Sequence, residues 1–310
     1  MGEFGLAPSL KSMPFRAWLT VLCLRALALL PLSWLHRIGA IGGQAAYRCS
    51  RKMRERLLEN VRGARIAAAN EGDDVRFARA CAGELGKAVA EILPLWFGRA
   101  ADMMVMIRLD PSWDAVQPLL RAGKGVIFLT PHLGGFEVAG QFLAYHMAVT
   151  IMYRQPRIAW LDPVLRYARA QGKAQLTTAD TRGVRASLKA LKRGEAIGLL
   201  PDQVPAQGHG VIANFFGRPA YTTTLIGKLQ QASGAPIVVL CMRRLPDAAG
   251  FDLTFHQLTQ PLPTNDAEAA QELNAFLERI IRRCPKQYLW SYNRFKSPAS
   301  APPQAARDGH

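Results

Sequence analysis

From Gly125 onward the sequence alternates short apolar runs with stretches of helical periodicity, and this alternation narrows the possible folds most. Strands are expected at Gly125–Thr130, Ala148–Tyr153, Ala174–Thr177, Ala196–Pro201, Pro236–Arg243 and Phe251–Leu258. Helices are expected at Val138–Tyr145, Leu161–Gln171, Arg182–Lys192, Thr223–Ala232 and Ala267–Arg283. The strand candidates are short and bounded by turn residues, as buried strands are. Strand–helix alternation implies an α/β fold with a mostly parallel central sheet covered by helices. No internal repeat is visible.

The first of these strands runs into Pro131-His132-Leu133-Gly134-Gly135-Phe136-Glu137. His132 therefore sits at the C-terminal end of a strand, where open α/β sheets place their ligands. Gly134 and Gly135 let the backbone turn tightly and a substrate approach. An imidazole is the natural base for a hydroxyl near neutral pH. It needs a carboxylate on its other ring nitrogen to fix the tautomer. Glu137 supplies one if the glycines form a turn that leads into the helix. The alternative is a histidine before a helix whose first-turn Glu complements the macrodipole.

Other residues gather near the same sheet edge. Arg154 ends a strand, where a guanidinium binds a phosphate or a developing oxyanion; the alternative is a surface Arg. Arg157 and Arg166 are weaker candidates for phosphates. Asp202 follows the run Ile197–Pro201 and either orients the site or caps a loop. Gly208, Gly210 and Gly217 mark the next segment as a mobile loop, in the manner of a lid. Phe215 and Phe216 line a channel or pack. Thr222-Thr223-Thr224 caps a helix or meets polar ligand atoms. Asp180 reads as an N-cap, and His209 as exposed. No Ser, Cys or Thr sits in a nucleophile elbow. No Walker A, dinucleotide or metal-ligand pattern appears, so neither cofactor nor metal is expected.

The 310 residues carry a formal net charge of +16. That favours nucleic acid, an anionic membrane surface or acidic partners. No nucleic-acid-binding motif is present, which removes the first. Five scattered cysteines without a C-x-x-C pair fit a reducing compartment. Ala17–Leu35 is barely long enough to span a bilayer, which needs roughly 20 apolar residues. It carries Arg25 and Pro31 inside and Trp18 and Trp34 near its ends. We read it as an uncleaved membrane helix, spanning or partly inserted; the alternative is a core helix. Lys11 and Arg16 precede it, and Arg37, Arg48, Arg51, Lys52, Arg54 and Arg56 follow. The heavier positive side faces the cytoplasm. Tyr47–Leu58 reads as one basic helix. Asp73–Arg99 reads as another, with Pro94 ending or bending it.

Several segments resemble one family in order. They are His132-x-x-x-x-Glu137, Met152-Tyr153-Arg154-Gln155-Pro156, Leu200-Pro201-Asp202-Gln203, and Phe215-Phe216-Gly217-Arg218-Pro219-Ala220 with Thr222-Thr223-Thr224. Gln287-Tyr288-Leu289-Trp290 and Asn293-Arg294-Phe295-Lys296 close the series; Asn60-Val61-Arg62 matches early in the chain. Together, over roughly residues 50 to 297, they resemble the late lipid A biosynthesis acyltransferases of the lysophospholipid acyltransferase superfamily. Asn293 stands where that family usually has a basic residue.

The resemblance implies a fold like that of glycerol-phosphate acyltransferases and a membrane-associated O-acyltransferase. It implies a His132/Glu137 dyad, with Arg154, Asp202, Gly134, Gly135 and Thr223 around substrate or oxyanion. Acyl-acyl carrier protein is the implied donor and a phosphorylated glycolipid the acceptor. The implied location is the cytoplasmic face of a bacterial inner membrane. Residues 1–35 are then a tail with the membrane-associated helix, 36–297 the acyltransferase domain, and 298–310 a disordered tail. An acyltransferase acting on a glycerophospholipid, glycolipid or polyene lipid is the near alternative. A non-catalytic basic membrane-binding protein is the distant one.

Overall fold

The computed structural model describes residues 15–68, 72–98, 100–153 and 172–296. Its centre is a seven-stranded sheet in the order β1-β9-β8-β2-β5-β3-β4. The strands are β1 Ile107–Leu109, β2 Val126–Leu129, β3 Val149–Tyr153, β4 Ala174–Thr178, β5 Ala196–Leu199, β8 Ile237–Arg244 and β9 Phe251–Gln257. Every neighbouring pair is parallel except β8–β9. The expected mostly parallel sheet is present, and each of the six expected strands lies within two residues of its sequence assignment.

β2 runs through the centre and is fully buried. Side chains alternate across a strand, so β2 feeds two cores. Ile127 and Leu129 join Ile197, Leu199, Ile237 and Val239 in one layer. Three helices cover it: α8 Thr181–Lys192, α9 Leu225–Ser233 and α10 Asp266–Ile281; α3 Arg51–Gly63 also packs there. Val126 and Phe128 join Val238, Leu240 and Met242 in the other layer. That face is covered by α1 Phe15–Leu27, α6 Ser112–Arg121, α7 Phe136–His146 and the C-terminal part of α4 Asp74–Phe97. A six-residue helix, α5 Ala100–Val105, precedes β1. The expected helix at 161–171 lies outside the described residues, as does the tail 298–310.

The N-terminal segment departs from the single helix read over Ala17–Leu35. α1 stops at Leu27, Pro31 precedes α2 Leu32–Cys49, and the two helices meet at a 112° bend. Proline lacks the N–H that continuation requires and suits a helix start. Among the described residues no single helix is long and apolar enough to cross a membrane; only the bent pair is, by length and composition. α2 lies close against α4 because both carry small residues at the crossing. A Cβ on Gly86 would stand 1.8 Å from the Gly39 carbonyl oxygen. The basic stretch read as one helix is also divided. Ser50 ends α2 and caps α3, its hydroxyl accepting from Met53 N–H at 3.3 Å. Pro94 does not end α4, which continues to Phe97. Asp73 and Asp180 are N-caps, as expected of Asp180.

The segment read as a mobile loop is a hairpin. β6 Gly210–Phe215 pairs antiparallel with β7 Arg218–Thr223, so the two-residue turn is Phe216-Gly217. Both turn residues have positive φ, +49° and +71°, as a type I′ hairpin turn requires. An isolated hairpin is marginal in water. This one is pinned to α10, where Gln271 Oε1 accepts from Asn214 N–H at 2.8 Å and Glu278 Oε1 from Phe216 N–H at 2.7 Å. Phe215 and Phe216 are buried and pack edge-on to each other, so of their two readings the structure shows packing.

Candidate active site

β2 and β5 are neighbours in register, with Leu129 opposite Leu199. The Thr130 N–H still donates to the Leu199 carbonyl at 3.0 Å, and there the strands end. His132 and Asp202 each lie three residues beyond that matched pair, so the sheet delivers both to one edge. Both are buried, 8% and 3% exposed.

The two side chains form one unit. His132 Nδ1 lies 2.8 Å from Asp202 Oδ1, and the His132 main-chain N–H donates to Asp202 Oδ2 at 2.9 Å. The Gln203 amide nitrogen stands 3.1 Å from His132 Nε2. A carboxylate accepts and an amide nitrogen donates. These partners assign the ring proton to Nδ1 and the lone pair to Nε2, which is the tautomer of a general base. Burial pushes the Asp202 carboxyl up. The charge of a protonated His132 and hydrogen bonds from its ring and N–H pull it down, and the net position is below the ordinary carboxylate value.

The turn after His132 is held by its surroundings. The Gly134 N–H donates to the Gln287 carbonyl at 3.0 Å and the Gly135 N–H to the Met242 carbonyl at 2.8 Å. Gly134 has φ +58°, and a Cβ there would stand 2.0 Å from the Met242 oxygen. A Cβ on Gly135 would meet the Phe251 ring at 2.9 Å. Gly134 thus makes the tight turn expected of this pair, against the Met242 backbone, and Gly135 is closed in by the Phe251 ring.

The chain's likeness to known proteins fits this geometry. The sequence profile of the bacterial lipid A biosynthesis acyltransferases matches residues 8–297. The chain belongs to that family. Over 215 residues it is 27% identical to the lipid A biosynthesis palmitoleoyltransferase of Escherichia coli K12, covering 69% of each chain. Over 178 residues it is 34% identical to the lauroyltransferase of the same organism, covering 56% of this chain and 55% of that one. Over 314 residues it is 24% identical to the myristoyltransferase, covering 94% and 91%. The protein is an acyltransferase, and the edge holding His132 and Asp202 is its candidate active site.

The carboxylate on Nδ1 is Asp202, read from the sequence as orienting the site or capping a loop; the sequence reading placed Glu137 on that nitrogen. Glu137 is half-buried in the first turn of α7 and shares a small crevice with Ala88, Glu91 and Phe136. The Phe136 ring centroid lies 4.8 Å from that of His132. Arg154, Arg157 and Arg166 lie outside the described residues. Thr223 ends β7, and its hydroxyl accepts from Leu225 N–H at 3.2 Å, so it serves the entry to α9. His209 is exposed, as read. Among the described residues no group of three or more His, Cys, Asp or Glu is placed to hold a metal ion.

Three elements of the site's support have no role in the sequence reading, although Gln203 and Gln287 lie in the segments that carry the resemblance. Gln203 follows Asp202 in the loop after β5, and only its partner on Nε2 gives it meaning. Arg244 ends β8 as a buried cation, forked onto both carboxylate oxygens of Glu91 and reaching Glu84 at 2.8 Å. His36 joins Glu91 at 2.7 Å. Burial pushes the Glu91 carboxyl up, but Arg244 and His36 bring it below its ordinary value. Gln287 is the third. Its side chain takes the Arg244 N–H at 2.8 Å and donates to the Arg244 carbonyl at 2.9 Å. The buried ion pair thus sits directly behind the Gly134 turn.

Proposed function

We propose that this acyltransferase moves a fatty acyl chain from the thioester of an acyl carrier protein to a hydroxyl of a phosphorylated lipid A precursor. The observation that carries the reading is the Nε2 lone pair of His132 at the sheet edge, with Nδ1–H fixed on Asp202. As the acceptor oxygen attacks the thioester carbonyl, Nε2 takes the hydroxyl proton. When the tetrahedral intermediate collapses, the same nitrogen returns that proton to the departing thiol. The acceptor hydroxyl replaces the Gln203 amide on Nε2. Arg154 and main-chain N–H groups at this edge are proposed to hold the oxyanion or an acceptor phosphate. Glu137, in the first turn of α7, is proposed as the second carboxylate of the site. The relatives named for lipid A biosynthesis support the acceptor, and the charge of +16 suits an acidic carrier and a phosphorylated lipid.

The test is acyl transfer in detergent, with acyl carrier proteins of several chain lengths and a tetra-acylated lipid A precursor, read by mass spectrometry. The expected result is a gain of one acyl mass. No product from folded enzyme and competent donor moves the acceptor to another lipid class.

We further propose that the bent α1–α2 pair lies on the cytoplasmic face of the inner membrane. Trp34, Ile38 and Ile41 recur at helical spacing and are 57%, 54% and 69% exposed. Leu22 on α1 and Leu29 at the bend are also exposed, as are Arg37 and Arg48 on α2. Such a face, with exposed cations on the same helix, suits an anionic bilayer surface. Deleting residues 1–35 is a poor test, because Ala17, Val21 and Leu35 are core residues. Ile38→Glu with Ile41→Glu keeps the fold and is expected to lower partition onto phosphatidylglycerol-containing vesicles at least about tenfold. Unchanged partition in a sedimentation assay sinks the proposal.

A further inference from the structure

The turn that carries the base has no main-chain donor to spare. The His132 N–H is taken by Asp202 at 2.9 Å, and the Leu133 N–H by the Pro131 carbonyl at 2.6 Å. Gly134 and Gly135 give theirs to the Gln287 and Met242 carbonyls at 3.0 and 2.8 Å. Attack on a thioester nevertheless puts a negative charge on the carbonyl oxygen, and preorganised donors at that oxygen are what lower the barrier.

Gln203 brings a donor to the reacting nitrogen. Its amide nitrogen lies 3.1 Å from His132 Nε2, and among the described residues this is the side chain's one hydrogen bond. The chain on either side of it is held. Asp202 is 3% exposed and bonded to both the His132 ring and its N–H. The Val204 N–H donates to the Tyr292 phenol oxygen at 3.0 Å. Gln203 is thus a half-buried side chain on a fixed stem, and the terminal torsion of a glutamine is soft. An attacking hydroxyl must come within about 2.6–3.2 Å of Nε2, which is where the amide nitrogen stands. The thioester carbon then lies about 3–3.5 Å from that hydroxyl oxygen in a near-attack arrangement, with the carbonyl oxygen one bond away. An amide pushed off Nε2 by the hydroxyl therefore reaches the carbonyl oxygen by turning its own side chain.

We propose that Gln203 is a catalytic residue: its side-chain amide, displaced from Nε2 by the acceptor hydroxyl, donates to the thioester oxygen as that oxygen becomes an oxyanion. The proposal rests on the reading of His132 as the base in attack on a thioester. In the first half of the reaction the C–O bond forms, the carbonyl π pair moves onto oxygen, and the hydroxyl proton goes to Nε2. In the second half the oxygen returns its pair, the C–S bond breaks, and the sulfur takes the proton from Nε2. The Gln203 N–H meets a full charge only between these halves. Its bond is stronger there than in the ground state, which is the condition for raising kcat.

The experiment compares the full-length wild type with Gln203→Met, which keeps the length of the side chain and removes the donor. Acyl transfer is followed from an acyl carrier thioester and from the matching dithioester, whose C=S sulfur is a poor hydrogen-bond acceptor. With the thioester, Gln203→Met is expected to lower kcat about 10²-fold, with both KM values unchanged, as for an interaction made only in the transition state. With the dithioester, the gap between wild type and variant is expected to shrink to less than about a tenth of that, because the bond is already lost in both; the cycle cancels the intrinsic reactivity of the two donors. A side chain that merely supports the loop gives the same gap with either donor. Gln203→Leu, of similar volume and without a donor, repeats the comparison if the Met variant folds poorly. A thioester kcat at or above the wild-type value, or an equal gap with both donors, overturns the proposal. If His132→Asn retains activity, the reading beneath it fails instead.

Discussion

Replacing His132 is expected to lower kcat for acyl transfer at least about 10³-fold, the upper range for a positioned general base. Two substitutions separate base chemistry from packing. His132→Ala removes the Nε2 lone pair and also the Nδ1–H that Asp202 accepts at 2.8 Å. The carboxylate, 3% exposed, then loses a charge-assisted partner, which costs about 1–3 kcal/mol of stability. His132→Asn places an amide N–H near the former Nδ1 and has no basic nitrogen. It is expected to be as inactive as the alanine variant and to melt closer to the wild type. Single-turnover kinetics with an acyl carrier donor and thermal unfolding of the same preparations give both numbers. Substantial turnover in folded His132→Asn rules out proton abstraction by this residue.

The fold was legible where local pattern and tertiary outcome agree. β2, β5, β8 and β9 are short apolar runs closed by turn residues, and these are the strands beside the site. The hairpin was not legible, because Gly210, Gly217 and Pro219 are loop residues by their own preference. Its stability comes from Gln271, Asn274 and Glu278 on α10, contacts that no local window contains. The bend at Pro31 and the break at Ser50 were hidden by apolar and basic periodicity that runs through them.

In the site, His132 stood out because a strand ends in front of it. The sequence points to Glu137 as its partner through a glycine turn and the family resemblance, and leaves Asp202 between orienting the site and capping a loop. The carboxylate on Nδ1 is 70 residues away and arrives through the parallel register of β2 and β5. Sequence spacing measures distance along one element, and a parallel sheet builds its edge from elements far apart in the chain. Gln287 shows the same limitation: nothing local gives it a role, since its side chain's partner is Arg244 at the end of β8.

Asp202 on Nδ1 and the role proposed for Glu137 make a second experiment decisive. Asp202→Asn keeps the volume but presents an amide to Nδ1–H and to the His132 N–H. If the amide turns its nitrogen to the ring, Nδ1 must accept, and the proton moves to Nε2. The base then shows the wrong tautomer to the acceptor hydroxyl, a change that lowers kcat about 10⁴-fold in a Ser-His-Asp triad. We expect a loss of about 10²-fold or more for Asp202→Asn and a smaller one for Glu137→Gln, whose carboxylate does not occupy Nδ1. Comparison of kcat for the two variants checks this, and a larger loss at Glu137 returns the orienting role to α7 and leaves Asp202 as a loop anchor. Stability gives an independent reading. The Asp202 carboxyl lies below its ordinary pKa in the folded protein, so the unfolded chain binds its proton more readily. Its stabilising contribution is complete above the unfolded carboxylate pKa and is lost as pH falls through the lower folded value. Asp202→Asn is therefore expected to be less stable than the wild type at neutral pH and to lose less on acidification. The two melting curves converge as the pH falls, because the group that separates them is no longer charged.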